Sequence, residues 1–452
     1  YNETYLLEST LRYEASTRFA PEDRWGFFPS VSVGWRISNE PFFQDKINTE
    51  WVDHLKFRAS YGRLGNDNSN PLSWENNYIY TGNQTYLGGT TLLGAISPDN
   101  EGVSMRGITW EKSDAYNAGF DLHFLNHFSF ELDGFYRHNY DILQVRSSAL
   151  SYSTGIGTSL PKENYGIQDS WGGEVTLGYG RKIDQDWSFN VSSYLSYATS
   201  RVIRKIQSPA ILGTWKDEEG RIRGGETGYF STGILSQADV DRLAEQYGTY
   251  VDGTTGETLI NYTIFGRQPE AGMLNFKDVG GPDYSNVPDG VINENDERII
   301  SKYDNPPFYY GLNLKVDYKS FRLNATFNGQ FGNDVVYDKA VYTTGEGNRQ
   351  NFDWLSKTSN NLTLWNDHWT PENTDASMPR LYNGNADKRS TFWMRDGHTL
   401  TLRNVSLSYD MPRSMLTNLG IPSLRVYLSG TNLWTIINPY GYKNPSLSSW
   451  MD

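Results

Sequence analysis

The stretch whose residue types and spacing come nearest to metal chemistry is Pro288-Asp289-Gly290-Val291-Ile292-Asn293-Glu294-Asn295-Asp296. Set on a calcium loop, Asp289 takes the fifth position, Gly290 the turn, Val291 offers its backbone carbonyl, and Asn293 and Asp296 take the ninth and twelfth. The first and third positions fall on Ser285 and Val287, so a full oxygen set would need Asp283 or Asp278 from across Gly280-Gly281-Pro282. The expectation is a Ca2+ site in the 283–296 loop with Asp289, Val291, Asn293 and Asp296 as metal ligands. The alternative is a hydrogen-bonded Asx-type turn.

Other catalytic signals are weak. The six His (54, 123, 127, 138, 368 and 398) show no ligand spacing such as H-E-x-x-H and read as surface or lumen residues. Gly224-Gly225 and Gly280-Gly281 lack the strand–helix context of a phosphate loop and read as turns. Carboxylates are plentiful, but nothing singles out a glycosidase pair. With no Cys, thiolate catalysis, disulfides and Cys-based zinc or iron–sulfur sites are excluded. A net charge of −13 excludes the basic footprint of a nucleic-acid binder. The reading is therefore not an enzyme.

Aromatic residues are the better candidates for binding. Trp74, Tyr78, Tyr80 and Tyr86 fall in one long connection; Trp354, Trp365, Trp369 and Trp393 fall in another. Flat rings stack on sugar or peptide faces at low entropy cost. Trp74, Tyr78, Tyr80, Tyr86, Trp354 and Trp365 are taken as ligand-binding candidates. The rival is that such rings pack the loops on one another or against a lid protein.

The elements that must position these groups alternate with period two. From Tyr5 to Phe19, Tyr5, Leu7, Leu11, Tyr13, Ala15 and Phe19 share one face, opposite Glu8, Thr10, Arg12, Glu14, Ser16 and Arg18. Val31, Val33, Trp35 and Ile37, and then Leu55, Phe57, Ala59 and Tyr61, repeat the pattern. Further strands read as 116–124, 128–136, 175–179, 187–197, 310–318, 321–327, 400–409 and 424–428, eleven in all. A phase slip at Arg403-Asn404 predicts a β-bulge. No run approaches the roughly 18 apolar residues of a membrane helix, but a β-barrel wall is apolar only on alternate residues.

Short and long connections alternate. Residues 125–127, 180–186 and 319–320 are tight, whereas 65–112, 140–172, 201–307 and 333–397 are long. All the long ones fall on one side of the strand set, as in an outer-membrane barrel with short periplasmic turns and long external loops. Several strands reach the roughly 9–11 residues that cross a bilayer. In such a barrel the charged residues Glu8, Arg12, Glu14, Arg18, Arg36 and Arg58, with Glu131, Asp133 and Arg137, face the lumen. Within the longest loop, Ser236 to Tyr247 reads as a helix capped by Ser236, with Asp239 and Asp241 near its first turn and Val240 and Leu243 on one side. It is either a docking element for a partner or a helix that packs the loop on itself.

Several segments together resemble the SusC/RagA family of TonB-dependent outer-membrane transporters of Bacteroidetes-type bacteria. They include Arg24-Trp25-Gly26-Phe27-Phe28-Pro29-Ser30-Val31-Ser32-Val33-Gly34-Trp35-Arg36 and Leu55-Lys56-Phe57-Arg58-Ala59-Ser60-Tyr61-Gly62. Further along stand Phe392-Trp393-Met394-Arg395-Asp396-Gly397 and Leu424-Arg425-Val426-Tyr427-Leu428-Ser429-Gly430-Thr431-Asn432-Leu433. The resemblance implies an all-β, antiparallel transmembrane barrel of roughly 22 strands, of which residues 1–452 would be the C-terminal part. The plug domain, TonB box, first strands and last strand would lie outside it. It also implies, in place of bond chemistry, TonB-driven import of a glycan or peptide oligomer at the outer membrane. The partners implied are a SusD-like surface lipoprotein as lid, TonB through the missing N-terminal part, and membrane lipid. In the family the 283–296 region resembles a fuller Asp-x-Asn-x-Asp-Gly pattern. The alternatives are a passive porin or assembly subunit on the same barrel, and a secreted carbohydrate-binding β-protein, a sandwich or propeller.

Overall fold

The computed structural model describes residues 3–47, 51–69, 74–75, 78–86, 92–98, 106–145, 162–301, 303–336, 344–345, 349–350, 366–381, 385, 387–417 and 420–439. Eleven strands form one antiparallel sheet in which spatial order follows chain order. They are β1 (Tyr5–Ala15), β2 (Trp25–Arg36), β3 (Val52–Asn66), β4 (Glu111–Phe124), β5 (Phe128–Val145) and β6 (Lys162–Lys182). There follow β7 (Trp187–Arg204), β8 (Phe308–Tyr318), β9 (Phe321–Phe331), β10 (Thr399–Asp410) and β11 (Arg425–Ile437). Each of the eleven expected strands is present, most of them longer than the alternation alone marked. The expected slip at Arg403 is a bulge, where the register jumps from Leu402 to Asn404 against both neighbours.

Because side chains alternate across a sheet, each register row presents one face. One row runs Trp35–Phe57–Phe120–Leu132–Val175–Leu195–Tyr310 across β2 to β8. The next row on the other face runs Arg36–Lys56–Asp121–Glu131–Thr176–Tyr194–Gly311–Asn328–Thr401. The apolar face is not buried: Leu7 is 76 % exposed, Val33 49 % and Phe57 45 %. No second sheet among the described residues covers it, which overturns the sandwich alternative. A continuous apolar face of this size is stable against lipid, not water.

Aromatic rings bound that face at both ends. Phe124, Phe128 and Tyr179 adjoin near the short turns, as do Trp187, Tyr318, Phe321 and Tyr409. Tyr61, Tyr116, Tyr136 and Trp171 form a row toward the long loops. On β4 the eight-residue step from Tyr116 to Phe124 is about 27 Å along the strand, or about 21 Å across the bilayer at a tilt of about 40°. One step beyond the outer rings, the same face becomes Arg63–Asp114–His138–Asp169–Arg201. The change from rings to charges marks where hydrocarbon gives way to water.

The long loops are not structureless. Segments 205–307 and 366–398 fold together around Tyr229, Leu235, Tyr262, Ile264, Met273, Leu274, Phe276, Ile292, Met378 and Trp393. Asn385 clamps Leu274, accepting from its N–H (2.9 Å) and donating to its carbonyl (2.5 Å), and Arg389 pairs with Glu226. The helix α1 (Gln237–Tyr247) has the expected cap, with Ser236 and Asp239 each accepting from the other's backbone N–H. Its Val240, Leu243 and Tyr247 rest on this core, so its apolar side packs the loop on itself.

One strand differs from expectation. β1 ends at Ala15, and the chain turns through the Ser16 N–H bond to the Arg24 carbonyl (3.0 Å). Phe19 therefore leaves the lipid-facing row and is fully buried with Phe28, Ile108 and Trp110. The turn is stabilised because it hides a ring that the strand would have left at the membrane–water boundary.

Candidate functional site

The inward face is the surface able to meet a polar solute. Glu8, Arg12 and Glu14 share it on β1, where the Arg12 Nε donates to Glu14 (2.7 Å). Arg58 stands in a row with Gly34, Gly119 and Asp133 and pairs with both Asp121 (2.8 Å) and Asp133 (2.7 Å). Arg36 ends β2 with its guanidinium toward Glu3 (3.5 Å). Arg18 lies beyond β1 in the turn, where it donates to the Ser69 carbonyl (2.8 Å) and lies 3.7 Å from Asp67. It braces a loop rather than projecting from a strand. Lys315, Asp317 and Arg322 make a second ion cluster near the short-turn end.

Of the ring candidates, Trp74 is half-buried and donates its indole N–H to the Thr17 carbonyl (3.3 Å). Tyr78, Tyr80 and Tyr86 lie on the first strand, Tyr78–Tyr86, of a hairpin with Leu92–Pro98. Trp354 and Trp365 lie outside the described residues. Trp393 is fully buried at the centre of the loop core. Trp369 lies over Gly272, where φ is +86° and a Cβ would collide with the indole ring, 2.6 Å from Cδ2. Both rings serve packing.

In the 278–298 turn the oxygens a cation would need are taken by backbone amides. Asp296, 1 % exposed, accepts from Val279 (2.8 Å), Gly280 (3.1 Å) and Asn293 (2.9 Å). Asp278 accepts from Asp289 (3.2 Å) and Gly290 (2.6 Å), while Asp289 accepts from Val291 (2.9 Å) and Asn293 from Asn295 (2.8 Å). Burial, aided by the charges of Asp296 and Asp289, holds the Asp278 carboxyl above its ordinary range, against the pull of those amides. Among the described residues no three His, Asp or Glu converge as a metal site. The geometry is that of linked Asx turns, which fasten Val291-Ile292 beside Thr263-Ile264 as a parallel pair.

Sequence reading passed over a set of neutral residues on the inward face of β7 to β10. Tyr194, Tyr309, Asn328, Gln330, Thr399 and Thr401 line one concavity there together with Arg403. The signal was present in the sequence, since the middle of the polar half of these strands (Ser192, Ser196, Asn313, Thr326, Asn328, Gln330, Thr399, Thr401) is amide and hydroxyl, with Lys315, Asp317 and Arg322 confined to the short-turn end.

No protein-family model matches the chain. It is 25 % identical over 453 residues to TonB-dependent receptor P3 of Formosa agariphila, covering 96 % of this chain and 40 % of that protein. It is 24 % identical over 457 residues to TonB-dependent receptor SusC of Bacteroides thetaiotaomicron, covering 99 % of this chain and 40 % of that one. In three dimensions it matches the RagAB peptide transporter at a TM-score of 0.68 and 19 % identity, over 96 % of this chain and 43 % of the other. The chain thus spans about two fifths of the length of the relatives it matches. With an eleven-stranded wall apolar on one face and these matches along nearly all its length, the chain is a homologue of part of the TonB-dependent receptors of the outer membrane, SusC among them.

Proposed function

We propose that the chain forms the C-terminal part of the wall and specificity loops of an outer-membrane importer for a nutrient oligomer, driven through TonB. The observation that carries this reading is the two-sided sheet: an exposed apolar outer face, a polar inner face, and a folded loop unit at one end only. β1 and β11 each pair on one side only among the described residues. Unpaired edges are not tolerated in hydrocarbon, so further strands of the same protein complete the barrel, to roughly 22, around a plug domain.

A SusD-like surface lipoprotein is proposed to cap the loop unit, with Trp74, Tyr78, Tyr80, Tyr86, Trp354 and Trp365 near the captured oligomer. A solved structure of similar fold is a peptide transporter, and the loop rings suit the faces of sugars as well as of peptides, so peptides and glycans both stand as proposed cargo classes. TonB coupling is tested in cells carrying the full-length gene by collapsing the proton gradient. Uptake of the cargo should stop. Uptake that continues undiminished identifies a passive pore instead.

A further inference from the structure

We infer that the inward wall of β7 to β10 carries a subsite for an uncharged, hydroxyl-rich oligomer, a neutral glycan, a reading that rests on the importer assignment above. Three successive register rows cross these four strands: Ser196–Tyr309–Gln330–Thr399, Tyr194–Gly311–Asn328–Thr401 and Ser192–Asn313–Thr326–Asn404. None of the twelve residues is ionisable near neutral pH. The first two rows continue across β2 to β6 through Arg36, Lys56, Arg58, Asp121, Glu131, Asp133 and Glu174, so the two sides of the wall differ sharply in charge.

Three charges adjoin this patch on the same face, Arg403 within the concavity and Lys315 and Glu174 at its borders. Arg403, the bulge residue, donates to Asn432 (2.8 Å), Lys315 lies by Asp317 (3.8 Å), and Glu174 stands one strand beyond Ser196.

Two features fit a sugar. Gly311 lies beneath the Tyr194 ring, where a Cβ would come within 2.8 Å of Cζ, and Tyr194 and Tyr309 remain 36 % and 44 % exposed. Exposed rings offer faces to the C–H side of a pyranose. Beside them the Asn328 and Gln330 carboxamides each carry donors and an acceptor, matched to vicinal hydroxyls. Among the residues lining the concavity Arg403 is the one ionised group, so a ligand carrying both charges, such as a peptide with free termini, would bring an ammonium with no counter-charge there, which is unfavourable once water is displaced. Such a peptide fits less well than a neutral oligomer, whose hydroxyls the amides and Arg403 can both serve.

The test uses the purified full-length receptor and labelled hexamers: α-glucan, β-glucan, mannan, xylan, polygalacturonate and a pool of uncapped hexapeptides. Fluorescence anisotropy should find at least one neutral hexasaccharide bound more tightly than polygalacturonate or the peptides. Asn328→Ala with Gln330→Ala should weaken it about tenfold or more, the loss of two hydrogen-bonding groups. Tyr309→Phe should retain binding and Tyr309→Ala lose it. Heat-modifiable migration on gels verifies that each variant is folded. Retention of no neutral hexasaccharide, tighter binding of peptide or polygalacturonate, or unchanged affinity in the folded double variant overturns the subsite. Unchanged affinity in that variant leaves the importer standing. Uptake of the bound hexamer that survives loss of the proton gradient overturns TonB-driven import and leaves the subsite standing.

Discussion

Arg58 on β3 reaches Asp133 on β5 (2.7 Å) across the intervening strand because the residue between them in the row is Gly119. A Cβ at Gly119 would collide with the Asp133 carboxylate and stand 2.5 Å from the Leu132 carbonyl oxygen. Gly119→Val should therefore wedge the pair apart and destabilise the wall by about 1–3 kcal/mol, as overpacking does. The midpoint of heat-modifiable migration should fall, and Arg58→Ala in the Gly119→Val background should add little further loss.

Lipid exposure of the apolar rows is checked by charge. Phe57→Arg places a cation on the outer face near mid-bilayer, where the expected destabilisation is about 2–4 kcal/mol. Ser60→Arg, on the inner face of the same strand, should be tolerated. Equal effects from both would contradict the assignment of faces.

The loop core should fail separately from the wall. Trp393 is fully buried, and Trp393→Ala should cost about 3–5 kcal/mol locally. Limited proteolysis should then cut within 205–307 and 366–398, while the eleven-strand wall keeps its heat-modifiable migration.

The cap of α1 gives a pH dependence. Hydrogen bonds from Ser236 lower the Asp239 carboxyl below its ordinary range. A carboxylate with a depressed folded-state pKa stabilises above its unfolded pKa, about 3.9, and loses that contribution as pH falls through the lower folded value. Hydrogen exchange across 237–247, corrected for intrinsic rates, should show protection falling at acid pH. Asp239→Asn should flatten the dependence, and Ser236→Ala should reduce protection by about 1 kcal/mol at neutral pH.

Asp296 should matter through its amide bonds. Asp296→Ala leaves the N–H groups of Val279, Gly280 and Asn293 without their acceptor, a destabilisation of about 1–3 kcal/mol for each one left buried. Calcium added to chelator-treated receptor should leave the melting of the loop unit unchanged; a clear rise would restore the cation-loop reading.

The sequence by itself determined the wall. Alternation of the kind seen at Leu7, Glu8, Val33 and Arg36 has period two, and only a strand sorts such residues onto two faces. The alternation of tight and long connections placed the loops at one end, and Ser236 with Asp239 marked a helix cap from local spacing. Tertiary structure decided what depends on partners distant in the chain. Asp289 and Asp296 have the spacing of cation ligands, but the amides of Val279, Gly280, Val291 and Asn293 claim them. Trp369 and Trp393 look like binding rings until segments about 100 or more residues away close around them, and Phe19 keeps its strand phase until Trp110 offers it a core. The neutral patch belongs to both. Its residue types were visible strand by strand, but only the pairing of β7 with β8, across the 103 residues from 205 to 307, made one surface of them.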